Sequence, residues 1–332
     1  MTVEPTPALS HRPTPLVSAI TMGATKLGAW LGRGIVAVSG CVRYVLAERD
    51  EPIVAGAVLA VLVGAALCAG LIAPYDTYDL AALSLLDASL PPSWLEDGSV
   101  AYLLGTDGQG RDLLSACLYG LRTSLIVAGI GVAIATVFGT AIGLISGFFG
   151  GWIDAVAMRL TDIQLTFPAI LIALLVDGVL TGALGPGSRE SFGQVVLIIA
   201  IATAFWAQFA RTVRAATLVE REKTYVSAAC LLGRSPAAIM AFHLVPNIAG
   251  PVVVLAVLNL AVAMLTEATL SFLGVGMPAT HPSLGTLIRT GSDFLFSGEW
   301  WMSMIPGLAL ALLVLTLNLV GDWLRDRICV QR

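Results

Sequence analysis

Six stretches of this chain stay apolar for close to the roughly 20 residues needed to cross a bilayer. They lie at about 53–73, 122–147, 155–177, 193–212, 248–270 and 301–321. The pattern predicts six transmembrane helices in an all-α polytopic membrane protein. Pro52 and Pro74 bracket the first stretch, and Trp300, Trp301 and Trp323 bracket the last as interfacial anchors. The third carries Arg159 and Asp162 in its first turns, and the fifth has Glu267 near its end. Between the fourth and fifth lies a segment of another kind, Tyr225–Asn247. Tyr225, Ala228, Ala229 and Leu232 fall at i, i+3, i+4 and i+7, one face of a short helix. Gly233 then stands where a left-handed C-terminal cap would go, and Ser235-Pro236 reads as the N-cap and first position of a second helix. With Arg221, Glu222, Lys223 and Arg234 around it, this segment is too short and too charged to cross a membrane. It reads as a loop helix offered to a soluble partner.

Composition agrees. Mean hydropathy is +0.88, and 12% of residues are charged, against about a quarter in a soluble domain. Cys41, Cys68, Cys117, Cys230 and Cys329 show no short pairing, so neither a disulfide framework nor a zinc site is implied. Placement of charge says more than the net of −4. Arg111, Arg122, Arg189 and Arg289 fall on one side of the predicted spans and every other lysine and arginine on the opposite side. By the positive-inside rule both termini and the Tyr225–Asn247 segment are cytoplasmic. The first external loop, about 74–121, is acidic and long enough for a docking or lid element.

Residues 1–50 lack the apolar core and cleavage site of a secretory signal. Met1–Pro15 reads as disordered. Beyond it, Leu27, Leu31, Ile35, Val38, Val42 and Val45 share a helical face that suits a helix lying on the cytoplasmic leaflet, with a plain basic tail as the alternative.

Inside the spans, Gly131, Ala135, Gly139, Gly143 and Gly147 recur every four residues, a row that lets two backbones approach closely, fixed or sliding. Pro168 predicts a kink in the third span. Asp162 is a candidate for lining a passage, or simply pairs with Arg159. Glu267 is a candidate for the passage or for meeting a neighbouring subunit, and Asp177 is expected at the outer interface. No phosphate-binding Gly-x-x-x-x-Gly-Lys-[Ser/Thr] loop exists, the three histidines are not at zinc spacing, and no nucleophile elbow appears. No catalytic residue, cofactor, metal or nucleic-acid partner is expected. A partner must supply the energy for any work.

Several ordered motifs carry a family resemblance. Gly105-Thr-Asp-Gly-Gln-Gly-Arg-Asp112 precedes the second span, with Gly105, Asp107, Gly110, Arg111 and Asp112 at the motif's fixed positions. Ser146–Asp154, Met158–Pro168, Thr266–Gly274 and Asn318–Asp326 follow, with Tyr225, Ala228, Ala229, Gly233 and Pro246 in the cytoplasmic loop. From about Leu104 to Arg327 the chain resembles the C-type permease subunit of dipeptide, oligopeptide and nickel ABC importers. The resemblance implies the type I ABC importer permease fold in a bacterial cytoplasmic membrane. It divides the chain into an N-terminal extension (1–50), a first span with its acidic loop (51–103), a permease core (104–327) holding a coupling loop (214–247), and a tail (328–332). The implied partners are a second permease, two ATP-binding subunits or domains and an extracytoplasmic substrate-binding protein. Peptides are the implied cargo, with nickel or another small solute as alternative. Ser227 departs from the glutamate usual at its position, which removes a charge from the loop. A secondary carrier would need an internal repeat and ion-coupling charges, and no repeat is present.

Overall fold

The computed structural model describes residues 51–75, 85–95, 98–185, 188–277, 281 and 283–330. Among them the regular elements are helices: α1 (Glu51–Leu67), α2 (Ala69–Ile72), α3 (Leu113–Phe149), α4 (Gly151–Thr166), α5 (Ala169–Leu184), α6 (Ser188–Arg221), α7 (Thr224–Leu231), α8 (Pro236–Ile239), α9 (Val245–Phe272), α10 (Leu284–Ser292) and α11 (Trp301–Val330). A π-helical turn, Met240–Leu244, joins α8 to α9. Met1–Val54 is one unit, of which Glu51–Val54 are described, and Ala55–Arg332 is the other. The surface helix expected over Leu27–Val45 lies outside the described residues.

Among the described residues four helices are long and apolar enough to cross a membrane: α3, α6 from Phe192, the run Pro236–Phe272, and α11 to Ile328. Two expected spans take another form. The stretch at 155–177 is no single kinked helix. It is the pair α4 and α5, bent by 96°. Pro168 cannot donate a backbone hydrogen bond and forces Phe167 into extended conformation (φ −94°, ψ 141°), which ends α4. The first stretch, expected to run to 73, gives a 17-residue helix that stops at Leu67, with α2 as a separate short helix.

The core is built on α3 against α6. The small-residue row is the reason. A Cβ on Gly131 would stand 2.7 Å from Ile201, one on Gly143 2.5 Å from the Ala210 carbonyl oxygen, and one on Gly147 2.8 Å from Thr217. The two backbones therefore touch along several turns, where dispersion alone holds helices together in lipid. Phe205 and Phe209 of α6 are fully buried in the same cluster, with Met264 and Leu270 of α9 and Leu313 of α11. The outward faces are apolar too, as at Val137, Leu175 and Leu308, as expected for surface that meets lipid or another membrane subunit.

At the end of α3 the chain reverses directly into α4. Gly150 and Gly151 both have positive φ, 66° and 59°, a pair that residues with a Cβ adopt only under strain. Asp154 in the first turn of α4 accepts hydrogen bonds from Ser146 and from the guanidinium of Arg214 on α6. Arg221 donates to the carbonyls of Gly147 (3.0 Å) and Phe148 (3.1 Å), placing a cation on the exposed C-terminal end of α3.

Candidate functional site

Helix α7 and the turn after it form a knuckle beyond the end of α6. Val226 and Ala229 face inward, buried with Leu144, Val213, Ile239, Leu244 and Ile248. Of the Tyr225–Ala228–Ala229–Leu232 face only Ala229 is turned into the chain's own core: Ala228 is exposed and Tyr225 half-buried. The physical reason is the cap. Helix α7 ends at Leu231, Gly233 turns left-handed at φ 75°, and its N–H donates to the Cys230 carbonyl at 3.0 Å while Arg234 N–H donates to Ala229 at 3.2 Å. Leu231 and Leu232 are thereby turned outward, 90% and 83% exposed. Ser235 then caps α8 by accepting from the Ala238 N–H, with Pro236 in its first turn, as the sequence predicts. Ser227, Gly233 and Pro246 are all exposed. A Cβ on Gly233 would meet nothing within 4 Å, so what the turn requires of this position is conformation rather than space.

The root of the knuckle is held by a residue that sequence patterning did not single out. Glu220, only 4% exposed at the end of α6, accepts from the Tyr225 hydroxyl at 2.6 Å and from Lys223 at 2.9 Å. A nearly buried carboxylate is retained only when paired, so these bonds tie α7 to α6. The one signal available was a glutamate five residues before a tyrosine across a helix break.

The two other charged candidates are now placed. Asp162 pairs with Arg211 of α6, not with Arg159, and both side chains stay more than half exposed. Glu267 has no exposed surface. It accepts from Ser124 of α3 at 2.6 Å and from Ser271 one turn along α9 at 2.8 Å, and Ser124 also receives the Leu284 N–H that opens α10. In this conformation Glu267 ties three helices of its own chain together and faces no opening. Asp177, expected at the outer interface, is buried within the protein on α5.

At the opposite end of α3, Gly105–Asp112 is a tight loop. Asp107 accepts the N–H groups of Gln109 (2.8 Å) and Arg111 (2.9 Å), and Asp112 caps α3 by accepting from Ser115 N–H (2.9 Å) and its hydroxyl (2.6 Å). Burial pushes the Asp107 carboxyl above the usual aspartate range, against the pull of those two N–H groups and of the Arg111 charge. Along a 37-residue helix this loop lies about 55 Å from the knuckle end at 1.5 Å per residue. Among the described residues no group of His, Cys, Asp and Glu could hold a metal ion.

The sequence matches the family described as binding-protein-dependent transport system inner membrane component over residues 139–328. The chain belongs to this family. It is a permease subunit of an ABC importer in the inner membrane, and ATP is hydrolysed by separate subunits. It is 38% identical to the dipeptide transport system permease protein DppC of Haemophilus influenzae over 77% of this chain and 82% of that one. It is also 38% identical to the di/tripeptide transport system permease protein DppC of Pseudomonas aeruginosa, over 80% and 83%. With the dipeptide permease DppC of Escherichia coli the figures are 39% over 84% and 89%. A solved structure titled for inward-facing conformations of the MetNI methionine ABC transporter superposes with a TM-score of 0.51. It is 17% identical, covering 65% of this chain and 97% of that one, which supports the shared fold.

Proposed function

We propose that this chain is one of two unlike permeases forming the passage of a peptide importer, with the knuckle Thr224–Ala238 seated in a groove of an ATPase subunit. The observation that carries the reading is the pair Leu231–Leu232, almost fully exposed on a capped turn amid Arg221, Lys223 and Arg234, at the end of the molecule where basic residues collect. Large apolar side chains held in the open on a capped turn mark a surface that another subunit covers. The six-span count and cytoplasmic termini belong to this reading.

Closure of the ATPases on ATP would push α7 as a lever. Its force would pass through the Glu220 clamp and the cluster around Val226 and Ala229 into α3, α6 and α9, and rock the spans between inward-facing and outward-facing states. Ser227 is exposed beside the leucines, so this position faces the partner without the charge usual there. Peptide cargo is the reading favoured by the names of the relatives, with substrate delivered by an extracytoplasmic binding protein.

The test is affinity purification of the tagged chain in mild detergent, with mass spectrometry of what accompanies it. Recovery of ATPase subunits, a second permease and a binding protein carrying peptide is the expected result. Nickel on the binding protein would replace the peptide reading, and ATP-independent transport by the chain alone would overturn the importer reading.

A further inference from the structure

At the end of α3 far from the knuckle, the loop at 107–111, helix α10 and the start of α11 enclose a cavity of about 530 Å³, within the usual range for small-molecule sites, about 300–1,000 Å³. Its walls are locked together. Gly108 lies under the Phe294 ring, where a Cβ would stand 2.6 Å from Cζ, and Gly291 of α10 is pressed against the Met302 backbone of α11. The cavity is thus formed in advance and needs no rearrangement to exist.

Four charged side chains line it. Asp107 and Arg111 belong to one turn, where the Arg111 backbone N–H donates to the Asp107 carboxylate at 2.9 Å. Arg289 and Asp293 are different. Arg289 lies in the last turn of α10 and Asp293 caps that helix four residues on; both are exposed, and among the described residues neither makes an ion pair. Residues spaced this way hold their Cβ atoms about 6 Å apart. The guanidinium of Arg289 lies over Gly274 at the end of α9, where any side chain would collide with it. Beside the two charges is an apolar wall that includes Met277, Phe294 and Met302.

One cation and one anion, separated by several ångströms beside an apolar wall, match a small zwitterion whose charges sit at its two ends. A free amino acid holds its ammonium and carboxylate on one carbon and is too short to reach both. A two- or three-residue peptide spans about 7–11 Å and fits the volume. We infer that this cavity binds a short peptide by its termini, carboxylate on Arg289 and ammonium on Asp293. The inference rests on the peptide-importer reading and adds to it a receiving site on the permease, on the membrane face opposite the ATPases.

The experiment is equilibrium dialysis of radiolabelled dialanine against the assembled complex in nanodiscs without its binding protein. N-acetyl-dialanine, dialanine amide, alanine and hexaalanine are competitors. Dialanine is expected to bind, with the blocked dipeptides and alanine at least tenfold weaker and hexaalanine weaker still. Arg289→Gln should erase the discrimination against the amide, and Asp293→Asn that against the acetyl form. Both positions are exposed, so the variants fold. Equal binding of free and blocked dipeptides, or unchanged selectivity in both variants, overturns the site. So does a photo-crosslinker at Thr290 that captures the binding protein and never a labelled dialanine probe, which would make the cavity a docking socket. ATP-driven peptide uptake separates the failures: uptake with no dialanine bound removes this site alone, and wild-type complex that takes up no peptide removes the importer reading with it.

Discussion

Glu267, enclosed, and Asp107, half-buried, show how carboxylates drawn out of water are tolerated. Glu267 is fully enclosed, and it persists because two hydroxyls, Ser124 and Ser271, donate to it. Glu267→Ala leaves both hydroxyls short of an acceptor beside a void and should cost about 2–4 kcal/mol of stability. Glu267→Gln keeps an acceptor and should cost less, with thermal unfolding in detergent as the measurement. Equal losses in the two variants would mean that the carboxylate with its two acceptor oxygens, not the filled volume or a single acceptor, matters there. Asp107 titrates above an unfolded aspartate, about 3.9, because burial favours its neutral form. The folded state therefore binds this proton more tightly than the unfolded state. Its stabilising effect is full below the unfolded value and is lost as pH rises through the folded one. Asp107→Asn keeps an oxygen for both N–H groups and cannot titrate. The variant's stability relative to wild type should rise from pH 4 to pH 7, and a parallel pair of stability curves would refute the assignment.

Helix contacts in this chain are decided by a few positions, and one helix supplies its own control. On α3, Gly139 would place a Cβ 2.6 Å from that of Phe209, whereas Gly129 has nothing within 4 Å. Gly139→Val should cost about 1–3 kcal/mol or prevent folding, since the α6 backbone cannot yield. Gly129→Val should be tolerated, and fluorescence-detected size exclusion would separate the two. Indistinguishable variants would show that α3 and α6 are not in close contact in the membrane. The knuckle offers a parallel case. Glu220→Ala releases Tyr225 and Lys223, so α7 loses its tie to α6. Transport should fall at least tenfold while insertion and peptide binding persist. Normal transport would assign the force path to the apolar cluster alone.

For the whole molecule, the reading places the ATPase contact and the peptide cavity at opposite ends of α3. Gly233→Asp tests the first end. Aspartate accepts the left-handed conformation better than most residues, and the chain leaves open space at that point. The variant should insert and fold yet fail to couple ATP hydrolysis to transport. A short thiol crosslinker from Cys230, which is exposed beside the two leucines, should reach the ATPase. Full transport by Gly233→Asp, together with silence at Cys230 and its neighbours, would put the ATPase contact elsewhere.

The run of apolar residues in α3, the Gly131–Gly147 row, the Gly233 turn and the Ser235 cap were all legible in the sequence. Each depends on local chemistry: transfer to lipid, absence of a side chain, or a hydrogen bond three residues away. The motif positions Asp107 and Asp112 were legible as a pattern, and their role as acceptors for local N–H groups explains why that spacing holds. What sequence could not decide was which groups meet across distance. Asp162 chose Arg211 over its near neighbour Arg159, Glu220 found Tyr225 across a helix break, and Glu267 met Ser124 from 143 positions away. Pro168 announced a bend but not its size, which is 96° in the folded chain. The cavity between the motif loop, α10 and α11 likewise exists only because Gly108 and Gly291 let three separated segments close on one another. Local propensities act through neighbours in the chain, whereas burial and charge pairing act through neighbours in space, and only the tertiary fold selects those.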